Sequence, residues 1–296
     1  MKPDTVRHIS DILVDDGSAN GVYFDVESKE HHARRRLSPS VLATGLLDHR
    51  VIDPAAIKFA FEEKREVTSA AQDRMDRGTL AHLALLQPEK LQTHVAVWKG
   101  ERRAGQKWEE FEAENNGKLI VKQEDYLLVM SAVKQFRFNK EINDLLSDGD
   151  AEVEMLTKEG RLFCSGQVDF VTSDSSKIVD LKTTDAGLDD RSLEYTIRDF
   201  CYREKMSLYK RWIERERDVE VLQCFNVFLR LKPPVGIVVK KFTSQALDWG
   251  WSRMLAAMNE LDKCLDSGFQ IFFRSDIADV AEWEMEDIDM EALSDE

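Results

Sequence analysis

The chain has 296 residues, of which 43% are hydrophobic and 33% charged, and its formal net charge is −15 at pH 7. This composition is typical of a globular protein with enough material for a sizeable core, and no window has the roughly 18 uncharged apolar residues of a membrane helix. The acidic balance gives no support for a polyanion partner, but the last 21 residues hold ten acids and no lysine or arginine, which leaves the body at only −5.

The first residues lack the apolar segment of a secretory signal, so we expect a cytoplasmic protein without a membrane anchor.

The four cysteines, Cys164, Cys201, Cys224 and Cys264, form no CxxC pair. This spacing argues against a zinc ribbon and gives no support for an iron–sulfur cluster. We expect the four thiols to be reduced.

The N-terminal part of the chain is polar first and helical afterwards. Residues 1–36 end in HHARRR and are typical of an exposed arm. Ser38 or Ser40 then serves as a candidate N-cap for a first helix. Mostly helical patterns follow from Ala55 to Leu86 and again over 106–146.

The period of the apolar residues then changes to the alternation of strands. The predicted strands are 151–156, 161–172, 177–184, 221–231 and 233–243, and the predicted helices are 192–216 and 244–268. Together these elements predict an α/β (α+β) fold in which a sheet is flanked by helices. The predicted organisation is a polar arm over 1–36, one domain over 37–274 and an acidic tail over 275–296.

Three charged side chains, Asp169, Asp180 and Lys182, lie within the predicted apolar strands. Alternation places Asp180 and Lys182 on one face and Val179 and Leu181 on the other. Antiparallel pairing of the two strands brings Asp169 beside Asp180, where the two carboxylates repel unless a cation lies between them. Oxygen ligands of this kind suit Mg²⁺ or Mn²⁺, which can clamp a scissile phosphate with the lysine alongside. The alternative is an ordinary solvated strand face.

GQVDF and IVDLKTT resemble the core of the PD-(D/E)xK nuclease superfamily, in which an acid ends one strand and D-x-K lies on the next. The likeness extends to the RecE-type (exodeoxyribonuclease VIII-like) exonucleases in five motifs that occur in the family order. These motifs are LSPSVL at 37–42, GTLAHLALLQPE with His82, AEVEML at 151–156, the hairpin with Cys164 five residues before Asp169, and YREKMSLY at 202–209. The likeness runs from about residue 37 to 213, and it implies a restriction-endonuclease-like core with a central mixed sheet flanked by helices.

The resemblance also implies roles for individual residues. Metal ligation falls to Asp169, Asp180, His82 and the backbone carbonyl of Leu181, and Lys182 is the catalytic lysine. The upstream acid is Glu152 or Glu154, which share a strand face by alternation, and Glu152 is favoured because it starts the strand.

Further candidates lie outside the D-x-K strand. Tyr209 matches a family tyrosine as a candidate catalytic residue, although a structural tyrosine fits equally. Lys205 stands where the family has glutamine and is a candidate phosphate contact. Thr183, Arg102 and Arg103 are further candidate DNA contacts, the arginines from a basic run. That run, GERRAGQKW, imitates a phosphate loop but lacks its Lys-Ser/Thr pair.

By resemblance, we expect a Mg²⁺-dependent exodeoxyribonuclease, with Mn²⁺ as a substitute metal. It would degrade one strand of linear double-stranded DNA from 5′ to 3′ and leave 3′ tails for an annealing recombinase. A homo-oligomeric ring around the DNA is also expected. Two alternatives stay open: a nuclease of the Cas4 or RecB type on single-stranded ends, and a non-catalytic relative that binds DNA ends or a partner protein. The missing cysteine cluster counts against the Cas4 type.

Overall fold

The computed structural model describes residues 7–46, 51–63 and 68–269, so the acidic tail expected over 275–296 lies outside the described residues. The strands are β1 (Gly21–Tyr23), β2 (Val95–Trp98), β3 (Leu119–Lys122), β4 (Gly149–Glu159), β5 (Leu162–Thr172), β6 (Lys177–Thr183), β7 (Gln223–Arg230) and β8 (Gly236–Lys241). Six of them form one sheet in the order β1–β4–β5–β6–β7–β8, and β2 pairs with β3. Because β6 and β7 are parallel and the other neighbours antiparallel, the central sheet is mixed.

Helices cover both faces of this sheet, which confirms the predicted fold class. They are α1 (Ser28–Ala33), α2 (Pro39–Ala43), α3 (Pro54–Glu62), α4 (Ser69–Leu86), α5 (Leu91–His94), α6 (Gln106–Glu114), α7 (Gln123–Phe136), α8 (Lys140–Leu145), α9 (Asp190–Asp199), α10 (Tyr202–Arg217) and α11 (Ser244–Ser267). Of the two candidate caps of α2, the structure selects Ser38, whose hydroxyl accepts a hydrogen bond from the Val41 N–H. Among the described residues, no helix has the length and apolar character needed to span a bilayer.

Strand alternation divides the hydrophobic core into two clusters, one on each face of the sheet. Val179 and Leu181 of β6 pack with Leu80 of α4 and with α7 in one cluster. Ile178 of the same strand belongs to the other cluster, which contains Trp212 of α10. Each fully buried side chain of this kind stabilises the fold by about 1.5–3 kcal/mol. The strands are therefore held rigidly from both sides.

The N-terminal segment is part of this packing, so the expected exposed arm over 1–36 is wrong for residues 7–36. Strand β1 pairs antiparallel with β4 and extends the central sheet. Ile12 is fully buried, and Arg36 is only 3% exposed. Its guanidinium donates to Asp16 over 2.7 Å, which balances the buried charge.

Two long helical predictions are also corrected. The pattern over 106–146 contains three helices and β3, which pairs in parallel with β2. The predicted helix 192–216 is two helices, α9 and α10, separated at Cys201, where φ is 51°. A left-handed residue cannot continue a right-handed helix, so the chain changes direction there.

Candidate active site

Three neighbouring strands each place a carboxylate in one row across the central sheet. Phe170 of β5 lies opposite Ala151 of β4 and opposite Val179 of β6. Glu152 follows Ala151, Asp169 precedes Phe170, and Asp180 follows Val179, so the three acids are neighbours across the strands. The predicted neighbourhood of Asp169 and Asp180 therefore follows directly from the strand register.

Lys182 lies between the last two of these acids. Its Nζ is 2.6 Å from Oδ2 of Asp180 and 3.9 Å from Oδ2 of Asp169. The same Asp169 oxygen accepts a hydrogen bond of 2.6 Å from the Leu181 N–H. Asp180 is 6% exposed, so the ion pair is screened little by solvent. Lys182 and Asp180 share one strand face, as alternation predicted.

Helix α4 brings His82 to the same place. One helical turn before it, Gly78 lies against Thr183 of β6, where an added Cβ would be 3.1 Å from the threonine Oγ1. A glycine here lets the helix approach the strand closely. As a result, Nδ1 of His82 lies 3.2 Å from Oδ1 of Asp169. The G-T-x-x-H motif thus has a structural reason for both its glycine and its histidine.

Glu152 completes a group of three potential metal ligands. One ligand atom each from His82, Glu152 and Asp169 lie within 4.8 Å of one another. Glu152 has a left-handed backbone, with φ 52°, which is uncommon for a non-glycine residue and is often found at functional sites. The donor set, two carboxylates and an imidazole, fits a divalent cation that accepts oxygen and nitrogen ligands.

The structure separates the two candidates for the upstream acid. Glu154 is fully buried and does not line the cleft into which the site opens. Its carboxylate accepts hydrogen bonds from Arg34 at 2.7 Å and lies 2.8 Å from Nδ1 of His31. The left-handed backbone at Glu152 interrupts the strand alternation that had placed both acids on one face. Glu154 is thus a structural ion-pair partner, and Glu152 faces the site.

The protonation equilibria of the site reflect crowded negative charge. Burial and the charge of Asp169 raise the pKa of Glu152 to about 7. Burial likewise raises the pKa of Asp180, to about 6, although Lys182 opposes this rise. For Asp169, burial is outweighed by the charges of His82 and Lys182, which hold its pKa well below the usual range. Of the three acids, Glu152 therefore has the largest uncompensated free-energy cost of being ionised in this buried, negatively charged site.

The site opens into a cleft of about 610 Å³. Its lining includes Asp25, His82, Glu152, Asp169, Lys182 and Tyr202. The N-terminal segment forms one wall, where Gln87 donates a hydrogen bond of 2.6 Å to the Asp25 carboxylate and Lys90 pairs with it. The pattern of the N-terminal residues gave no sign of this role, because it depends on pairing with β4.

The remaining predicted residues differ in whether they line the cleft. Thr183 lines the cleft, and Lys205 lies over the ring of Tyr202, 5.6 Å from its centroid. Tyr209 is buried in the core beside Gly166, where an added Cβ would lie 3.0 Å from the tyrosine ring. Tyr209 does not line the cleft.

The two predicted arginines lie elsewhere. Arg103 pairs with Asp73 at 3.0 Å and donates to the Ile120 carbonyl, so it ties α4 to β3. Arg102 is exposed, and its carbonyl accepts a hydrogen bond from the Trp98 indole. Neither arginine lines the cleft. Tyr202, which does line it, received no predicted role although it begins the YREKMSLY motif.

Residues 53–270 match the family model described as "PDDEXK-like domain of unknown function (DUF3799)". The fold is also similar to the crystal structure of a candidate exonuclease from Eubacterium rectale, with a TM-score of 0.58 and 11% identity over 92% of this chain and 99% of that one. A phage-related exonuclease from Haemophilus somnus 129PT aligns with a TM-score of 0.35 and 13% identity, over 78% of this chain and 96% of that one. None of the curated proteins matches this sequence.

The raised pKa of Glu152 predicts a gain in stability when its charge is removed. The folded state binds this proton more tightly than the unfolded state, so the associated stability is lost as pH rises from about 4.5 to about 7. In EDTA at pH 8, Glu152→Gln should raise the free energy of unfolding by up to about 3 kcal/mol, with little change at pH 4.5. Urea denaturation at both pH values measures this difference.

The matched control is the same substitution two residues along the strand. Glu154→Gln removes one partner of a buried ion pair and should lower the free energy of unfolding by about 3–5 kcal/mol at pH 8. A Glu152→Gln variant that is less stable than the wild type in EDTA at pH 8 would contradict the electrostatic description of the site.

Proposed function

We propose that this chain, which belongs to the PDDEXK-like family (DUF3799) and hence to the PD-(D/E)xK superfamily, is a Mg²⁺-dependent exodeoxyribonuclease. Family membership supports the broader assignment, a nuclease-type hydrolase of phosphodiester bonds. The observation that carries the proposal is the convergence of Glu152, Asp169, Lys182 and His82 in one cleft, with Asp180 in an ion pair with Lys182.

The cation would be held by His82, Glu152 and Asp169, whose ligand atoms lie within 4.8 Å of one another. A bound Mg²⁺ supplies positive charge beside the scissile phosphate and favours deprotonation of a nucleophilic water. Asp180 lies next to this group in the strand register and would supply a further oxygen ligand. The three carboxylates give the site the negative charge that a divalent cation needs.

Lys182 is suited to stabilise negative charge rather than to remove a proton. Although burial alone would lower its pKa, the charges of Asp180 and Asp169 outweigh burial and raise it above the ordinary value. The ammonium group therefore stays protonated and can donate hydrogen bonds to a phosphate oxygen as charge grows in the transition state. The hydrogen bond from the Leu181 N–H holds the Asp169 carboxylate in place.

The substrate assignment rests on the resemblance to RecE-type exonucleases. On this basis the substrate is linear double-stranded DNA, one strand of which is degraded from 5′ to 3′ to leave a 3′ tail. A homo-oligomeric ring and an annealing recombinase as partner belong to the same proposal. Lys90 and Lys182 line the cleft but are paired with Asp25 and Asp180, so the attraction for phosphates would depend on the bound cation.

Degradation of a labelled blunt duplex tests the activity and its polarity together. With Mg²⁺, we expect release of mononucleotides from a 5′ label and no attack on covalently closed circles. EDTA should abolish the reaction, and Mn²⁺ should restore it, because the acids need a divalent cation. Cleavage of closed circles would contradict the exonuclease assignment, and a folded protein inactive with both metals would favour the non-catalytic alternative.

Removal of one acid should separate catalysis from binding. Asp180→Asn keeps the size of the side chain but loses its charge, so the cleavage rate should fall by about 10²–10³-fold or more, with DNA affinity largely retained. The matched control is Asp150→Asn, an exposed acid on the same sheet. Rate measurements and gel-shift titrations decide the matter: equal rates for the two variants would mean that Asp180 lies on a non-catalytic strand face.

A further inference from the structure

An exposed aromatic side chain lies at the corner between α9 and α10. Phe200 is 57% exposed, although burial of a phenylalanine is favourable by about 1.5–3 kcal/mol. Its ring stacks on that of Tyr202, with the centroids 5.6 Å apart and the planes inclined by 14°. One ring of the pair is therefore partly buried and the other presents an apolar surface to solvent.

The inner ring of this pair connects it to the active site. Tyr202 lines the cleft, and Nζ of Lys182 lies 5.4 Å from the centroid of its ring. Lys205 approaches the same ring at 5.6 Å, and Phe228 packs against it with centroids 6.1 Å apart. The stacked rings thus extend from the catalytic lysine to the protein surface.

The backbone between the two rings is shaped to bring them together. Residues two apart on a continuous helix point to nearly opposite sides, so Phe200 and Tyr202 could not stack there. Cys201 between them adopts a left-handed conformation, with φ 51°, and its N–H donates to the Arg198 carbonyl over 3.0 Å. This conformation is unfavourable for cysteine, and its result is the parallel ring pair at the rim of the site.

Cationic and aromatic side chains continue on both sides of the corner. Arg198 lies 4.7 Å from the ring centroid of Tyr195 on α9. Beyond Tyr202, Arg203 lies 4.9 Å from the ring centroid of Trp249, which is 40% exposed. Alternating aromatic and basic groups of this kind match the bases and phosphates of an unpaired strand.

We propose that Phe200 and Tyr202 form a stacking platform for the unpaired terminal base of a DNA strand that enters the cleft. A base inside a duplex has both faces covered by its neighbours, so only an unpaired or terminal base can stack on Phe200. Its phosphate would then lie towards Lys182 and Lys205. This inference rests on the proposed nuclease function and adds to it the form of the substrate at the site.

Fluorescence of 2-aminopurine tests the platform without requiring catalysis. The probes are 12-nucleotide single strands that carry 2-aminopurine as the terminal base at the 5′ or the 3′ end, titrated with protein in the Asp180→Asn background. Stacking should quench the fluorescence of one probe on binding. Adding Phe200→Ala should weaken binding of that probe by about 5- to 100-fold and remove the quenching.

Two further variants control for ring chemistry and for general surface effects. Phe200→Trp keeps an aromatic surface and should retain binding and quenching. Phe138→Ala removes a phenylalanine that is 81% exposed beyond α7 and should change neither. Thermal unfolding of all variants should be alike, because both phenylalanines are exposed.

Unchanged affinity and quenching in Phe200→Ala would overturn the platform, as would equal losses in Phe138→Ala or no binding of either probe. The duplex-degradation assay makes the two proposals separable. If the wild type has no nuclease activity but Phe200→Ala still loses quenching, the platform stands and the proposed function fails. If the wild type degrades DNA and Phe200→Ala binds normally, only the platform fails.

Discussion

The structure is organised around a row of acids that the fold holds together against their mutual repulsion. Glu152, Asp169 and Asp180 come from three adjacent strands, so no single strand can relieve the crowding by moving. His82 and Lys182 compensate the charge of Asp169 and Asp180 in part. Glu152 forms no ion pair within the described residues, and burial together with the charge of Asp169 raises its pKa. A divalent cation would relieve this imbalance, which supports the proposed metal site.

The rest of the fold keeps this arrangement in place. Alternation along β6 directs Val179 and Leu181 into the apolar cluster that α4 and α7 share, while Asp180 and Lys182 lie on the face of the candidate site. One face of this strand therefore packs in the core, and the opposite face holds the charged residues of the candidate site. The close approach at Gly78 brings α4 near enough for its histidine to reach the acids. Glu152 and Cys201 have left-handed backbone conformations. The conformation of Cys201 stacks Phe200 on Tyr202, and both conformations add local strain where ligands would bind.

Much of this could be predicted from the sequence, because the central strands have clear alternation and polar turns. The hairpin of β5 and β6 alone brings Asp169 beside Asp180. Strands β2 and β3 were missed because each has only four residues within helical surroundings. The packed N-terminal segment and the separation of Glu152 from Glu154 depend on long-range contacts, such as Arg34 with Glu154, which no local pattern reveals. The predicted metal ligands and the DNA contacts at Thr183 and Lys205 remain predictions, whereas Arg102 and Arg103 lie away from the cleft.

The most direct measurement of the central claim is the anomalous scattering of Mn²⁺ in crystals of the protein grown with the metal. The acids should hold the ion whether or not DNA is present, because their repulsion exists in the free protein. We expect one strong anomalous peak within bonding distance of the Glu152 and Asp169 carboxylates and the His82 imidazole. Crystals without a peak there, at a Mn²⁺ concentration that supports cleavage, would contradict a metal centre at this row of acids.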